Sequence, residues 1–146
     1  MTKIAWCLKQ KKGIELVEPN DNLSKAYFQD ADDSLDVMRE AKGKWKSIIA
    51  YYACYYALYA ILMKAGLKCE IHDCTLELMA FFGFSQNQIE FMKKLKKERT
   101  DVQYYRKEPG ELNHKKVAEF VMNCKEICSG LDHDLIIKIR GVVKND

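Results

Sequence analysis

The chain has 146 residues, 48% of them hydrophobic, with only two prolines and a formal charge of +3. That length fits one compact domain, able to bury about two-thirds of the surface its unfolded form exposes, and leaves no room for a second core of similar size. A charge this mild neither predicts nor excludes nucleic acid, so its placement matters more than its sum.

In chain order, Lys3 to Gln10 reads as a short helix that Gly13 stops, and Ile14 to Glu18 extends toward Pro19. Residues 1–22 thus form an N-terminal appendage, and residues 23–146 a helical bundle. From Leu23, the apolar positions Tyr27, Ala31, Leu35 and Met38 recur at helical spacing. They predict a long amphipathic helix, opened by Asp21 or Asn22 and ended near Gly43. A second helix covers Lys44 to Ala65, and a short third runs from Asp73 or Cys74 to Phe82, between Gly66 and Gly83. The fourth starts near Ser85. After the loop Arg106-Lys107-Glu108-Pro109-Gly110, Asn113 caps a fifth helix that ends at Gly130, and Asp132 to Val142 supplies a last short one. No alternating run of useful length marks a strand. The expected class is all-α, an up-and-down bundle of four main helices with short additional helices.

The second helix is the most apolar segment, uncharged from Ser47 through Met63. A membrane span fits it poorly: the run sits at the lower length limit, lysines flank both ends, and Tyr51, Tyr52, Tyr55, Tyr56 and Tyr59 would need hydroxyl partners at bilayer depth. On a helical wheel Ala50, Ala53, Ala57 and Ala60 share one arc and the five tyrosines the opposite one. The alanines allow close approach of a neighbouring helix. The tyrosine side, with Tyr51, Tyr55 and Tyr59 at its centre, is assigned to a second subunit or a ligand cleft, with ordinary core packing as the alternative. A homodimer follows from the first assignment.

Six cysteines, Cys7, Cys54, Cys69, Cys74, Cys124 and Cys128, follow an N-terminus with no apolar leader, so a reducing, cytoplasmic setting and free thiols are expected. Cys124 and Cys128 share a helix with Val117, Phe120, Val121 and Ile127 and read as small core residues. Cys69, His72 and Cys74 match none of the common zinc spacings, so no metal and no cofactor is assigned. A bridge between near neighbours stays open for a hyperthermophile source.

Charge and function meet on the fourth helix. Ile89, Met92, Leu95, Arg99 and Val102 recur at spacings of three and four, which turns Arg99 inward with an apolar face. A guanidinium does not shed its charge in a low-dielectric groove; it meets an anion there or reaches out to water. The alternative is a last-turn arginine serving its own helix C-terminus. Lys93, Lys94, Lys96 and Lys97 crowd the approach to it against only Glu98, while Asp30, Asp32, Asp33 and Asp36 form an opposing acidic patch. A lysine run is most often a solvated face, but this one leads to a candidate anion site.

Four pieces together resemble the HEPN family. They are Ile48-Ile49-Ala50-Tyr51-Tyr52-Ala53-Cys54-Tyr55-Tyr56-Ala57, then Leu62 through Gly66, then His72 opening the short helix, and finally Arg99-Thr100-Asp101-Val102-Gln103-Tyr104-Tyr105. The likeness covers about Leu23 to Gly130 and rests on the order and spacing of the set. It implies a helical bundle that usually dimerises, with a polar cleft between protomers. Many members are metal-independent ribonucleases; others partner minimal nucleotidyltransferases in toxin–antitoxin pairs. In active members the arginine is followed, after four to six residues, by a histidine; counting from Arg99 brings Tyr104, with Tyr105 and Arg106 next, and the histidine is missing. A tyrosine with a pKa near ~10 is a poor base at neutral pH. His72 and His114 are the candidates to replace it in space. On an ideal helix Arg99 and Tyr104 lie roughly 140° apart, so sharing a site needs a distorted helix or a second subunit.

Three functions follow. The first is a HEPN-like module that binds RNA, a nucleotide or another phosphorylated ligand through Arg99, Lys96, Tyr104 and Tyr105, beside a nucleotidyltransferase partner; arginine supplies the phosphate contact and tyrosine a stacking surface. The second is a metal-independent ribonuclease toxin with Arg99 and Tyr104 as catalytic candidates. The third is a non-catalytic dimer that scaffolds another protein.

Overall fold

In a computed structural model that describes residues 1–146, the second long helix, α3 (Lys44–Ala65), runs through the middle of an all-α bundle. Its sequence leaves it no continuous solvated face, and 15 of its 22 residues are buried. Against it pack α2 (Asp21–Glu40), α5 (Gln86–Tyr104) and α6 (His114–Ser129). α3 is the one helix long and apolar enough to cross a membrane, and 78% of its most apolar window is buried inside the bundle. The chain itself supplies the apolar surroundings such a helix needs.

The starts and stops follow capping chemistry. The Asn20 side chain accepts the Leu23 amide, so α2 opens there and not at Asp21 or Asn22. Ser85 and Gln88 form a reciprocal capping box on α5. Asn113 caps α6, and Asp132 caps the last helix, α7 (His133–Lys144). The short third helix divides into α4 (His72–Glu77) and a 3-10 turn, Leu78–Phe82.

Two features lie outside the sequence reading. Glu15–Leu16 (β1) pairs antiparallel with Leu67–Lys68 (β2), two residues a side, too short to leave a periodic trace. The second is covalent: Cys7 in α1 (Lys3–Lys9) is joined to Cys74 in α4 by a disulfide that spans 67 positions. The expectation of six free thiols is corrected for this pair; Cys54, Cys69, Cys124 and Cys128 are free. With Ile4, Cys7 and Ile14 in the same core cluster as α3, residues 1–20 are fastened to the bundle by packing, pairing and a covalent bond.

The tyrosine arc of α3 divides in two. Tyr51, Tyr55 and Tyr59, each one turn from the next, are 0%, 8% and 8% exposed. The chain that follows β2, from Cys69 into the first turn of α4, covers them: the Tyr51 hydroxyl meets His72 Nδ1 at 2.7 Å, that of Tyr55 meets Thr75 Oγ1 at 3.2 Å, and that of Tyr59 accepts the Cys69 amide at 3.1 Å. Their assignment to a second subunit is therefore corrected. A stretch of chain only a few residues downstream supplies both the cover and the polar partners, a satisfaction that helical periodicity alone does not reveal. Tyr52 and Tyr56 remain half-buried, with Tyr27 of α2 6.1 Å from the Tyr56 ring.

Candidate functional site

The apolar face of α5 is buried at Met92, Leu95, Arg99 and Val102, so the inward arginine is where its spacing put it. Arg99 is 8% exposed and has no carboxylate partner. The nearby acids of α5 are used elsewhere: Glu98 accepts the Gly110 amide, and Asp101 pairs with Lys97 at 2.7 Å. Aromatic rings surround the guanidinium instead, with Cζ 4.8 Å from the centre of Tyr51 and 5.7 Å from those of Tyr52 and Tyr104. Ring faces offset part of the cost of holding this cation out of water.

Its hydrogen bonds are few. Nη1 donates to Tyr52 Oη and Gln103 Oε1, both at 3.4 Å, beyond the usual range for such bonds. Nε is the only buried side-chain nitrogen or oxygen in the chain without a partner. Nη2 makes no bond either and, not being among the enclosed orphans, keeps an opening to solvent. The Nε–H and the adjacent Nη2–H point the same way along one edge of the planar group. That edge is the fork that receives carboxylate or phosphate in bidentate fashion.

His72 joins this cluster from α4. Its ring stacks on Tyr55 at 4.1 Å and 16°, stands edge-on to Tyr52 at 6.4 Å, and is held through Nδ1 by Tyr51. Burial, then the Arg99 and Lys96 charges, push its pKa below the ordinary histidine value, with Asp73 opposing. Burial likewise pushes the Tyr51 and Tyr55 hydroxyls far up, so both stay neutral. Cys69 turns away, its thiol donating to the Ile71 carbonyl, and Cys74 is in the disulfide, so the Cys69, His72 and Cys74 group does not converge.

The other expected site residues are placed unevenly. Tyr104 closes α5 and reaches Arg99 even though an ideal helix sets them far apart, because both side chains are long and the helix ends there. It is 64% exposed, and Tyr105 is 70% exposed with no contact to the guanidinium. Lys96 pairs with Asp73 at 3.0 Å. Lys96, Lys93 and Lys97 line a groove of about 440 Å³ with Lys3, Thr100 and the acids Asp73, Glu77 and Asp101. His114 lines a separate hollow with Lys46 and Ser47 and does not join Arg99. Tyr51 and Tyr52 as the walls of the arginine site carried no sequence signal beyond their place on α3. No protein-family model matches the chain, and no curated protein matches it in sequence.

Proposed function

We propose that the chain is a HEPN-like module that binds RNA, a nucleotide or another phosphorylated ligand at Arg99. The observation that carries this reading is the buried guanidinium with no anion and one donor edge unused. A buried charge without a counterion costs several kcal/mol unless something else offsets it, and a phosphate at that edge does so. Support also comes from the lysine-lined groove on the same helix, where Lys93, Lys96 and Lys97 stand with Lys3 against three acids, and from the exposed rings of Tyr104 and Tyr105 at the end of α5, which suit base stacking. The resemblance adds a homodimer and a minimal nucleotidyltransferase partner in a toxin–antitoxin type system. Such a dimer would use a face other than Tyr51, Tyr55 and Tyr59, and light scattering at micromolar concentration tests it.

The test of binding is fluorescence anisotropy with a labelled single-stranded RNA over a salt series. Affinity should fall steeply with salt, and Arg99→Ala should lose on the order of 1.5–3 kcal/mol, roughly ten- to hundredfold. An unchanged affinity in Arg99→Ala removes this reading. A metal-independent ribonuclease is the second reading, supported by the histidine beside the arginine. Cleavage in excess chelator that vanishes in Arg99→Ala would put it first.

A further inference from the structure

The Tyr51 hydroxyl is fully enclosed and has one polar neighbour, His72 Nδ1. If Nδ1 carried the hydrogen, the hydroxyl would accept it and its own O–H would be left buried without an acceptor. That arrangement costs about 1–3 kcal/mol. The hydroxyl therefore donates to Nδ1, and the hydrogen of the neutral ring sits on Nε2. Nε2 makes no hydrogen bond in the structure and is not among the enclosed orphans, so it faces solvent. Around Tyr51 and Tyr52 the fold thus gathers three unused donor atoms from two side chains: Arg99 Nη2, open to solvent, with the enclosed Nε beside it, from α5, and the Nε2–H of His72 from α4.

We infer that His72 is a ligand-contacting residue of the Arg99 site, and that the site takes the terminal phosphate of a nucleotide or RNA 5′ end in preference to an internal phosphodiester. The inference rests on the anion-binding reading above. A diester offers one negative charge, whereas a monoester carries close to two and three equivalent acceptor oxygens. Three oxygens match a fork of two donors plus a third donor from another helix. The groups facing His72 set its charge: Tyr51, Tyr52 and Tyr55 from α3 are neutral, Arg99 and Lys96 from α5 are cationic, and Asp73 from its own helix is anionic. In the free protein burial, and then the two cations, prevail over Asp73, and the ring stays neutral. A dianion inserted between Arg99 and His72 reverses that field, so binding draws a proton onto His72 Nδ1. That Nδ1–H then donates to the Tyr51 oxygen, whose own hydrogen loses its acceptor at a cost of about 1–3 kcal/mol that the dianion's attraction exceeds. The same tautomer disfavours the ribonuclease reading, because Nε2 already holds a hydrogen and cannot accept one from a ribose hydroxyl.

The experiment is titration calorimetry on one short single-stranded RNA prepared with a 5′-phosphate and with a 5′-hydroxyl, between about pH 6 and 7.5, in two buffers of unequal ionisation enthalpy. The internal diesters are identical, so they cancel. The phosphorylated form should bind at least about tenfold tighter, a difference of one charged hydrogen bond. Its binding should take up protons, and the sign is diagnostic. The phosphate's own second ionisation, near about 6, is pushed down by a cationic site and releases protons instead. His72→Gln keeps an N–H donor and an acceptor for Tyr51 but cannot titrate; it should bind the 5′-phosphorylated RNA more weakly than wild type does and lose the proton uptake. Equal affinity for the two RNAs, both weakened by Arg99→Ala, overturns the inference and leaves the anion site standing. Preference for the phosphate without proton uptake by wild type overturns the role of His72. Binding indifferent to Arg99 removes both readings together.

Discussion

At the scale of the residue, the surroundings penalise the charged form of two groups, Arg99, which keeps its charge, and His72, which is held neutral, and each has a measurable consequence. Arg99 stays charged while 8% exposed and without a carboxylate. Replacing it by methionine removes that charge but keeps a long flexible side chain among the rings of Tyr51 and Tyr52. Arg99→Met should leave the melting temperature unchanged or raise it, with a gain on the order of 1 kcal/mol, while anion binding is lost. A clear loss of stability would mean that the aromatic faces and long hydrogen bonds already offset the buried charge. His72 has its pKa lowered in the folded state by burial and by Arg99 and Lys96. The unfolded chain, with a histidine pKa near ~6.5, then binds more protons than the native one as pH falls through that value, so stability is present above it and lost below it. Thermal unfolding between about pH 7.5 and 5 should show the slope, and His72→Gln should flatten it; equal slopes would count against a depressed His72. The inward arginine was legible because one helix face repeats every three or four residues. Its walls were not, since Tyr51, Tyr52 and His72 come from elements that are brought together only by packing.

At the scale of the element, what the sequence made plain were helices with strong local punctuation, and what it hid were junctions fixed by distant partners. α3 matches its reading because Gly43 and Gly66 bound an uninterrupted apolar run. The two-residue strands and the 3-10 ending of the third helix have no period of their own. Gly66 shows how such a junction is held. It ends α3 in the left-handed region at φ 75°, and a β-carbon there would press on the Val17 carbonyl and the Arg140 guanidinium. Arg140 Nη1 itself donates to Val17, Ala65 and Gly66 carbonyls at 2.8, 3.2 and 2.7 Å, tying α7 to the end of α3 and to the N-terminal segment. Gly66→Ala should therefore cost more than the roughly 1–2 kcal/mol of left-handed backbone alone, because the clash also displaces Arg140. Urea unfolding checks this. A cost of less than about 1 kcal/mol would show that the junction relaxes freely.

At the scale of the whole molecule, the disulfide between Cys7 and Cys74 decides how the N-terminal segment belongs to the bundle. Nothing local announced it: the two cysteines are 67 positions apart, six cysteines allow many pairings, and the short extended segment between α1 and α2 conceals how closely α1 returns to α4. The bond also touches the site, since α4 carries His72 and Asp73 while α1 places Lys3 in the basic groove. Closing a loop of this length lowers the entropy of the unfolded chain by an amount worth about 4 kcal/mol, a large share of the roughly 5–15 kcal/mol typical of a whole domain. Alkylation of the denatured, unreduced protein should label the four free cysteines only. Under a reductant, and in the double variant Cys7→Ser with Cys74→Ser, the urea midpoint should fall with little change in the native fold, because Ile4 and Ile14 remain in the common core. Hydrogen exchange should then rise first in residues 3–9, where only one short helix is released. Equal midpoints with and without reductant would mean that packing alone fastens the segment, and labelling of all six cysteines would mean that the bond does not form.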